Sequence, residues 1–382
     1  MKNFLFASVC LFSNGMQALG SSEWEQISDA GIELSYADTE PIVLMQNFDP
    51  FEWEHVRINF DKINDSAHEL IKSDHLKIAD WREILPQGLG IEELVDYIMG
   101  LICIDFCHWG LKQQSEENGV RDFYIRDELG IKVRGSAAMT ILAKRAYNNG
   151  VKIFDAVFMK KAAIDDLRAH FMGIDKDENP MEIPWLEERV KILNEVGGIL
   201  LQKWKGSFYN LYLEAKMRAF NRGKGFVELL VRDFPRFKDE YLYKNKTIGI
   251  YKLAQLSVMA LQSALSQYSD FSPFKDCDVL TLCADYQLPR SLRALGILEY
   301  GSELIVSVDQ EKLIPSGSPL EIELRMATVF AGQQLMKTMN QILAEEGKAL
   351  ITAQELDYFL WSHGRSLDRS SSKHHLIRTI MY

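Results

Sequence analysis

Asp285 is a lone carboxylate at the end of an apolar stretch of the chain. Residues 279–284 before it are mostly apolar or small, and Tyr286 and Pro289 constrain the chain after it. We expect a carboxylate in this position to be desolvated and held still. Enzymes use such a carboxylate to face a developing positive charge, but an Asp before a turn also commonly caps it by accepting backbone N–H groups. The sequence alone leaves both interpretations open.

Asp105 and His108 form a second candidate pair. They stand three residues apart near the end of a predicted helix over 91–109, and this spacing places them on one helix face. A His beside an acid is held in one tautomer, so it can orient a substrate or move a proton. The alternative is a structural pair in which the two side chains satisfy each other in the core.

Asp357 and Trp361 are four residues apart on a helix predicted over 352–362, so they also share a face. An acid next to an aromatic plane suits a flat heterocycle that carries a positive charge. The alternative is an Asp at the rim of the protein and a Trp in its core.

Two cations stand in apolar surroundings. Lys252 lies between Tyr251 and Leu253, so its ammonium must reach solvent or meet an anion. Arg325 is expected to pair with a nearby acid, with contact to a phosphate as the alternative. The adjacent His374 and His375 point apart on a strand, and without further ligands nearby we expect no metal and no cofactor.

The elements that must position these residues are mostly helical. Apolar periodicity predicts helices over 64–71, 91–109, 136–147, 226–231, 248–268, 320–347 and 352–362, and another from Pro184 onward. A small hairpin over 122–134 is the only clear β signal before a terminal strand over 376–380. The fold class predicted is mainly α with a small β hairpin, in a single domain.

Composition limits the function. The chain has 382 residues and a net charge of −11, which argues against stable binding of nucleic acid because such binding depends on Lys and Arg. Its five cysteines, at positions 10, 103, 107, 277 and 283, form no CxxC pair, and we interpret them as buried free thiols in a reducing compartment. A small anionic ligand in a local basic pocket stays compatible with this charge.

Residues 1–50 are interpreted as an N-terminal extension, with the globular domain over 51–382. Residues 1–20 resemble a signal peptide, because Lys2 precedes a short apolar run and small residues precede a cut at Ser21. Secretion is therefore the alternative to a cytoplasmic location. No other run reaches the roughly 20 apolar residues that a membrane span needs.

Several segments, taken in order, resemble the queuosine-salvage family, the queuosine 5′-phosphate N-glycosylases. The likeness extends from about Val56 to Tyr382 and rests on the segments 105–109, 186–195, 206–208, 234–239, 251–255, 284–289, 321–325, 356–361 and 377–382. The family pattern has Arg where this chain has Leu253, Asp where it has Ala260, and Arg-Val-Pro-Gln or similar where it has residues 287–290. The resemblance implies a mostly helical fold related to helix-hairpin-helix DNA glycosylases, a cytosolic setting, and hydrolysis of queuosine 5′-monophosphate to queuine and ribose 5-phosphate.

The resemblance also implies roles for residues. Breaking a ribosyl C–N bond builds an oxocarbenium-like sugar, and Asp285 is the carboxylate we expect against C1′. A 7-deazaguanine lacks N7, so the departing base must be stabilised at its other edges, for which His108, Asp105 and Tyr286 are the candidates. Cys283, beside them in sequence, is placed in the same substrate site.

The remaining substrate groups are ionic. The side-chain amine of queuine is cationic near pH 7, and Asp357 with Trp361 is its expected site. The 5′-phosphate calls for a cation, with Lys252 as the first choice and Arg325 or Arg378 as the second. Two rival functions remain: a non-catalytic carrier of a modified nucleobase, and a DNA or RNA base glycosylase, which the net charge opposes. The sequence does not specify the oligomeric state.

Overall fold

The computed structural model describes residues 41, 48–72, 76–111 and 120–382. The predicted signal-like segment 1–20 lies outside these residues, as does most of the predicted extension. Within the described part, Trp53 and Val56 are buried against the rest of the chain. No helix in that part combines the length and the apolar content that crossing a bilayer would take.

Helices dominate the described residues, as the periodicity predicts. They are α1 (Phe60–Leu70), α2 (Ile91–Cys103), α3 (Ser136–Asn148), α4 (Ala156–Lys161), α5 (Ile164–Arg168), α6 (Leu186–Lys203), α7 (Phe208–Glu214), α8 (Phe226–Asp233), α9 (Lys252–Leu265), α10 (Leu288–Ala294), α11 (Ser302–Asp309), α12 (Pro319–Glu345) and α13 (Ala353–Ser366). The mainly α, single-domain prediction is confirmed. A capping box at Thr352 and Glu355 opens α13, as its sequence predicts.

Short strands are more numerous than the sequence indicates. They are β1 (Val56–Ile58), β2 (Trp109–Leu111), β3 (Val120–Asp122), β4 (Tyr124–Arg126), β5 (Lys132–Arg134), β6 (Met172–Ile174), β7 (Pro180–Glu182), β8 (Glu240–Tyr243), β9 (Lys246–Gly249), β10 (Leu298–Tyr300), β11 (Leu313–Ile314) and β12 (Leu376–Ile377). The predicted hairpin is β4–β5, inside a sheet of order β5-β4-β6-β7. The prediction of a single β element before the C-terminal segment is wrong, because strands of two to four residues are too short to produce a clear alternation.

The segment that carries Asp285 runs between two hydrophobic clusters. Leu280, Cys283 and Tyr286 pack into the cluster built around α2, α6 and α9. Leu282 and Leu288 pack into the second cluster, around α1 and α12. A Cβ at position 332 of α12 would stand 2.0 Å from the Leu282 side chain, so only glycine admits this close approach. The segment is therefore packed against both hydrophobic clusters, which restricts the movement of Asp285.

Helix α2 ends at Cys103, six residues before the predicted end. Two buried arginines form hydrogen bonds with the carbonyl groups there. Arg236 Nε donates to the Cys103 carbonyl at 2.6 Å, and the Arg189 guanidinium donates to the carbonyls of Ile104 and Phe106. These bonds satisfy the carbonyls that a helix end leaves unpaired. Asp105 and His108 thus lie in the loop after α2, and the prediction that they share a helix face is wrong.

Helix α9 begins at Lys252, although the periodicity predicts a helix from Ile248. Residues 246–249 form β9 instead and pair with β8. Tyr251 then adopts a left-handed conformation with φ of 51°, and the helix starts at the next residue. Lys252 therefore lies in the first turn of α9, and the Asp239 carboxylate accepts its backbone N–H at 3.0 Å. This position lets the side chain leave the helix end toward the loop after α2.

Candidate active site

A cavity of about 540 Å³ is lined by residues from the loop after α2, the start of α9, the segment 283–288 and α13. Its volume lies within the range of small-molecule sites. Eight of the nine predicted site residues line it together: Asp105, His108, Lys252, Cys283, Asp285, Tyr286, Asp357 and Trp361. Arg325 is the predicted residue that does not. Of the departures from the family pattern, Leu253 and Ala260 are buried in α9 and do not line the cavity, whereas residues 287, 288 and 290 do.

Asp285 combines the two roles that its sequence position allows. Its Oδ1 accepts the backbone N–H groups of Gln287 and Leu288 at 2.7 and 3.0 Å, which caps the start of α10. Its Oδ2 has no hydrogen-bond partner among the residues that the structure describes, and the side chain lines the cavity. Burial raises the pKa of Asp285, while Lys252 opposes the rise. One oxygen is therefore fixed by the backbone and the other is left to a ligand.

Asp105 is the centre of a short chain of polar contacts. Its Oδ1 lies 2.8 Å from Nε2 of His108, and its Oδ2 lies 3.5 Å from Nζ of Lys252. Burial alone would raise the pKa of Asp105, but Lys252 and His108 together hold it well below its usual value. The ionised carboxylate favours the tautomer in which His108 Nε2 carries the proton. Nδ1 of His108 is buried without a hydrogen-bond partner in the described part of the chain, so the ring is fixed from one side only.

Asp357 lines the cavity from α13. Its Oδ2 accepts the backbone N–H of Cys283 at 2.7 Å. Burial, with Asp285 nearby, raises the pKa of Asp357 to about 7. Trp361 follows one turn later on the same face and also lines the cavity, so the predicted juxtaposition of an acid and an aromatic plane is confirmed.

Cys283 and Tyr286 form part of the wall. Burial raises the pKa of the Cys283 thiol well above its usual value, so it stays protonated and is a poor nucleophile. The Tyr286 hydroxyl donates to the Ile377 carbonyl at 2.5 Å. Its ring packs against His374, His375 and Tyr382. The hydroxyl proton that could serve a departing base is therefore already used to dock the C-terminal segment.

Arg325 is buried elsewhere and is fully engaged. Its Nη1 and Nη2 donate to the two oxygens of Asp239 at 2.7 and 2.8 Å, and its Nε donates to the Ala284 carbonyl at 3.1 Å. The side chain is completely buried. The ion-pair interpretation of Arg325 is thus confirmed, and we remove it from the substrate-contacting residues.

Arg378 lies on a different surface. Its guanidinium stacks over the Trp185 ring at 4.3 Å, and it lines a separate cavity with Arg121 and Glu182. The structure does not bring it to the carboxylates, so it is also removed as a phosphate ligand.

Four arginines that sequence reasoning missed line the main cavity: Arg134, Arg290, Arg365 and Arg369. They come from β5, α10, α13 and the loop after α13. No pattern within any one of these segments indicates that they meet. The sequence Arg134-Gly135-Ser136 before a helix was the one available local signal, because a helix start beside a cation suits an anion. We call these four residues the arginine end, and Asp105, Lys252, Asp285 and Asp357 the carboxylate end.

The fold and this cavity define a helical protein with a buried, charged site for a small molecule, one end of it acidic and the other basic. Comparison with known proteins then gives the family. Residues 86–382 match the family model described as queuosine salvage protein. The chain belongs to this family.

Curated relatives agree over most of their length. A protein of Sphaerobacter thermophilus is 33% identical over 302 residues, covering 79% of this chain and 85% of its own. Proteins of Dictyostelium discoideum and Bos taurus are 31% and 29% identical over 341 and 316 residues, covering 86% and 80% of this chain and 94% and 87% of their own. Each is named queuosine 5′-phosphate N-glycosylase/hydrolase.

Proposed function

We propose that this protein hydrolyses the N-glycosidic bond of queuosine 5′-monophosphate and releases queuine and ribose 5-phosphate. Family membership and the names of the relatives support this reaction. The observation that carries it is Asp285, whose Oδ1 is fixed by two backbone N–H groups while Oδ2 faces the cavity without a partner among the described residues. A carboxylate fixed in this way suits a reaction that creates positive charge on a sugar.

In the proposed mechanism, Asp285 Oδ2 lies against C1′ of the ribose. As the bond from C1′ to the base nitrogen breaks, its electron pair leaves with the base and the sugar becomes oxocarbenium-like. Asp285 stabilises this charge or captures it covalently. A water oxygen then bonds to C1′, and any bond formed between C1′ and Asp285 breaks with its electron pair returning to the carboxylate. One water proton is accepted by a carboxylate, and the departing base takes up a proton.

Lys252 is our candidate for stabilising the departing base. The one hydrogen-bond contact of its ammonium group within the described residues is the 3.5 Å approach to Asp105, which leaves other N–H donors for a ligand. A base without N7 gathers negative charge as it leaves, and an ammonium group in a buried site is an effective donor to that charge. Asp105 and His108 act as positioning residues, because they hold Lys252 near Asp285.

Asp357 and Trp361 are proposed to bind the aminomethyl side of the base. In queuine the amine is attached to the five-membered ring that also carries the glycosidic bond, so the amine and C1′ lie on the same side of the base. Asp285 raises the pKa of Asp357, and both carboxylates raise the pKa of the Cys283 thiol, so the two lie near each other. A carboxylate this near Asp285 suits a cation this near C1′.

The test is direct. Purified protein is incubated with queuosine 5′-monophosphate and free queuine is measured by liquid chromatography and mass spectrometry, with Asp285→Asn as the control. We expect release by the wild-type protein and a loss of release in the variant. A carrier would bind queuine without releasing it from the nucleotide, and a nucleic-acid glycosylase would release base from DNA or tRNA instead.

Four further properties are proposed with this function. We place the start of the catalytic domain near Phe51, since β1 pairs with β10 and Trp53 is buried in the core. The resemblance stated from sequence supports kinship with helix-hairpin-helix DNA glycosylases and a cytoplasmic location. A small-molecule substrate, rather than nucleic acid or membrane, agrees with the net charge of −11.

A further inference from the structure

The arginine end carries more positive charge than the residues around it balance. Asp122 is the acid between Arg134 and Arg369, with oxygen to nitrogen distances of 3.7 and 2.6 Å. Glu311 is a weak second partner, 3.9 Å from Arg369. Two guanidinium groups thus share one close carboxylate before Arg290 and Arg365 are counted.

Arg365 is the least engaged of the four. No hydrogen bond or ion pair joins it to the described residues, and its contact is a stack over the Trp361 ring at 4.8 Å. Arg290, by contrast, is 2% exposed and gives its Nη groups to the carbonyls of Gly364, Leu367 and Ser372. Arg365 therefore has donors to offer a ligand, while Arg290 supplies mainly charge.

Two further observations indicate an anion here. Burial together with the neighbouring Arg134 lowers the pKa of both Arg365 and Arg290, which is the sign of positive charges held close together. Nη2 of Arg369 is buried without a hydrogen-bond acceptor among the described residues. A buried donor left without an acceptor is costly, and an oxyanion would relieve it.

The first turn of α3 adds donors of its own. Gly135 and Ser136 line the cavity, and no side chain caps this helix of 13 residues. Gly135 has φ of 68° and ψ of −142°, a conformation that favours glycine and turns the chain from Arg134 into the helix. The free N–H groups and the positive end of the helix dipole favour an anion beside the guanidinium groups.

The cations predicted from sequence do not compete for this role. Lys252 stands at the carboxylate end, where Asp105, Asp285 and Asp357 would repel a phosphate dianion. Arg365 is the member of the arginine end that also senses the carboxylate end: Arg134 lowers its pKa, and Asp285 acts in the opposite direction. A ribose with C1′ at Asp285 would thus place its 5′ substituent toward Arg365 and Arg134.

We infer that the arginine end, through Arg134, Arg365 and Arg369 with the first turn of α3, binds the phosphate monoester of the substrate. This inference rests on the proposed function for the identity of the nucleotide. The ligand chemistry is that of a phosphate dianion on a primary sugar carbon, bound by guanidinium forks and backbone N–H groups.

The test compares Arg134→Gln, Arg365→Gln and their double variant with wild type. Arg126→Gln is the matched control, because Arg126 lies on the adjacent strand of the same sheet and does not line the cavity. Kd for ribose 5-phosphate is measured by calorimetry, and kcat/KM is measured with queuosine 5′-monophosphate and with the nucleoside queuosine. Losing a charge-assisted contact weakens binding by about tenfold or more, so each cavity variant should lose at least about tenfold with the phosphorylated ligands and within about threefold with the nucleoside.

The outcomes separate the two proposals. If ribose 5-phosphate fails to bind wild type, or binds the double variant as tightly, the inference is overturned. Equal losses with nucleotide and nucleoside would overturn it as well. If ribose 5-phosphate binds through these arginines but no base is released from the nucleotide, the proposed function fails while the anion site stands. Arg365 has no ion pair to lose, so its variant keeps the test independent of folding defects at Arg134.

Discussion

Arg325 and Lys252 are buried cations that both contact Asp239, and they differ in how many hydrogen bonds their charged groups make. Asp239 accepts both Nη groups of Arg325, and it also accepts the backbone N–H of Lys252. Arg325 makes further bonds to the Ala284 carbonyl and the Tyr241 hydroxyl. The Lys252 ammonium has a single long contact, to Asp105. The two charges are similarly hidden from solvent, but only one of them is satisfied.

The number of hydrogen bonds that a buried charge makes within the protein distinguishes a structural cation from a ligand-binding one, whereas burial alone does not. A buried charge with all its partners in the protein holds the fold, and removing a partner strands the other charge. A buried charge with free donors costs stability and is kept where a ligand completes it. Both kinds act near Asp285, since Arg325 binds the carbonyl of the preceding residue and Lys252 lowers the pKa of Asp285.

The largest effect should come from Arg325→Met, which leaves Asp239 buried and unpaired. We expect the free energy of unfolding to fall by about 3–5 kcal/mol. Urea unfolding followed by circular dichroism measures it, with exposed Arg126→Gln as the control. Normal stability with reduced turnover would mean that Arg325 serves the ligand, and the contrast with Lys252 would disappear.

Asp285→Asn should separate catalysis from stability. The amide oxygen can still accept the N–H groups of Gln287 and Leu288, so α10 stays capped. We expect near-normal substrate affinity, unfolding within about 1 kcal/mol of wild type, and turnover lower by at least about 10²-fold. The exposed Asp278→Asn is the matched control. Retained turnover in Asp285→Asn would exclude this carboxylate from the chemistry.

Asp357→Asn tests the acid assigned to the amine. A buried charge-assisted contact contributes roughly 1.5–3 kcal/mol, so the variant should lose about tenfold or more affinity for the aminated base relative to an analogue with a neutral side chain. Competitive binding of the two bases gives this ratio. Equal losses would assign Asp357 to the fold, through its bond to the Cys283 N–H, and make Asp105 the next candidate.

Lys252→Met should change the pH dependence of kcat. The ammonium lowers the pKa of Asp285, so its removal lets that pKa rise further. Asp285 must be ionised to face the sugar cation, and activity is lost as pH falls through its pKa. The acidic limb of the kcat profile should therefore move to higher pH. Turnover of the nucleotide and of the nucleoside should be affected alike. A loss of turnover confined to the nucleotide would mean that Lys252 binds the phosphate.

Local patterns predict the local parts of this molecule. The spacing of Asp357 and Trp361 gives their shared face, and Asn149-Gly150 gives the end of α3. The end of α2 was missed because Arg189 and Arg236, from distant segments, provide the donors that stop it. Propensity and periodicity contain no information about such partners.

The candidate active site was also predictable only where the signal lies within one segment of the sequence. Asp285 was identifiable because one carboxylate interrupts an apolar stretch. The arginine end was not, because its four members come from separate elements and each looks like an ordinary surface arginine in sequence. Lys252 was identified as a site residue, but its proximity to three acidic neighbours was not, because they come from other elements.

Helix α13 carries Asp357, Trp361 and Arg365 at intervals of four residues along one face, and all three line the cavity. With a rise of about 1.5 Å per residue, the first and last of these side chains start about 12 Å apart along the axis. A continuous helix cannot stretch to suit its ligand. The helix therefore fixes the spacing between the acid, the aromatic ring and the guanidinium group that face the cavity.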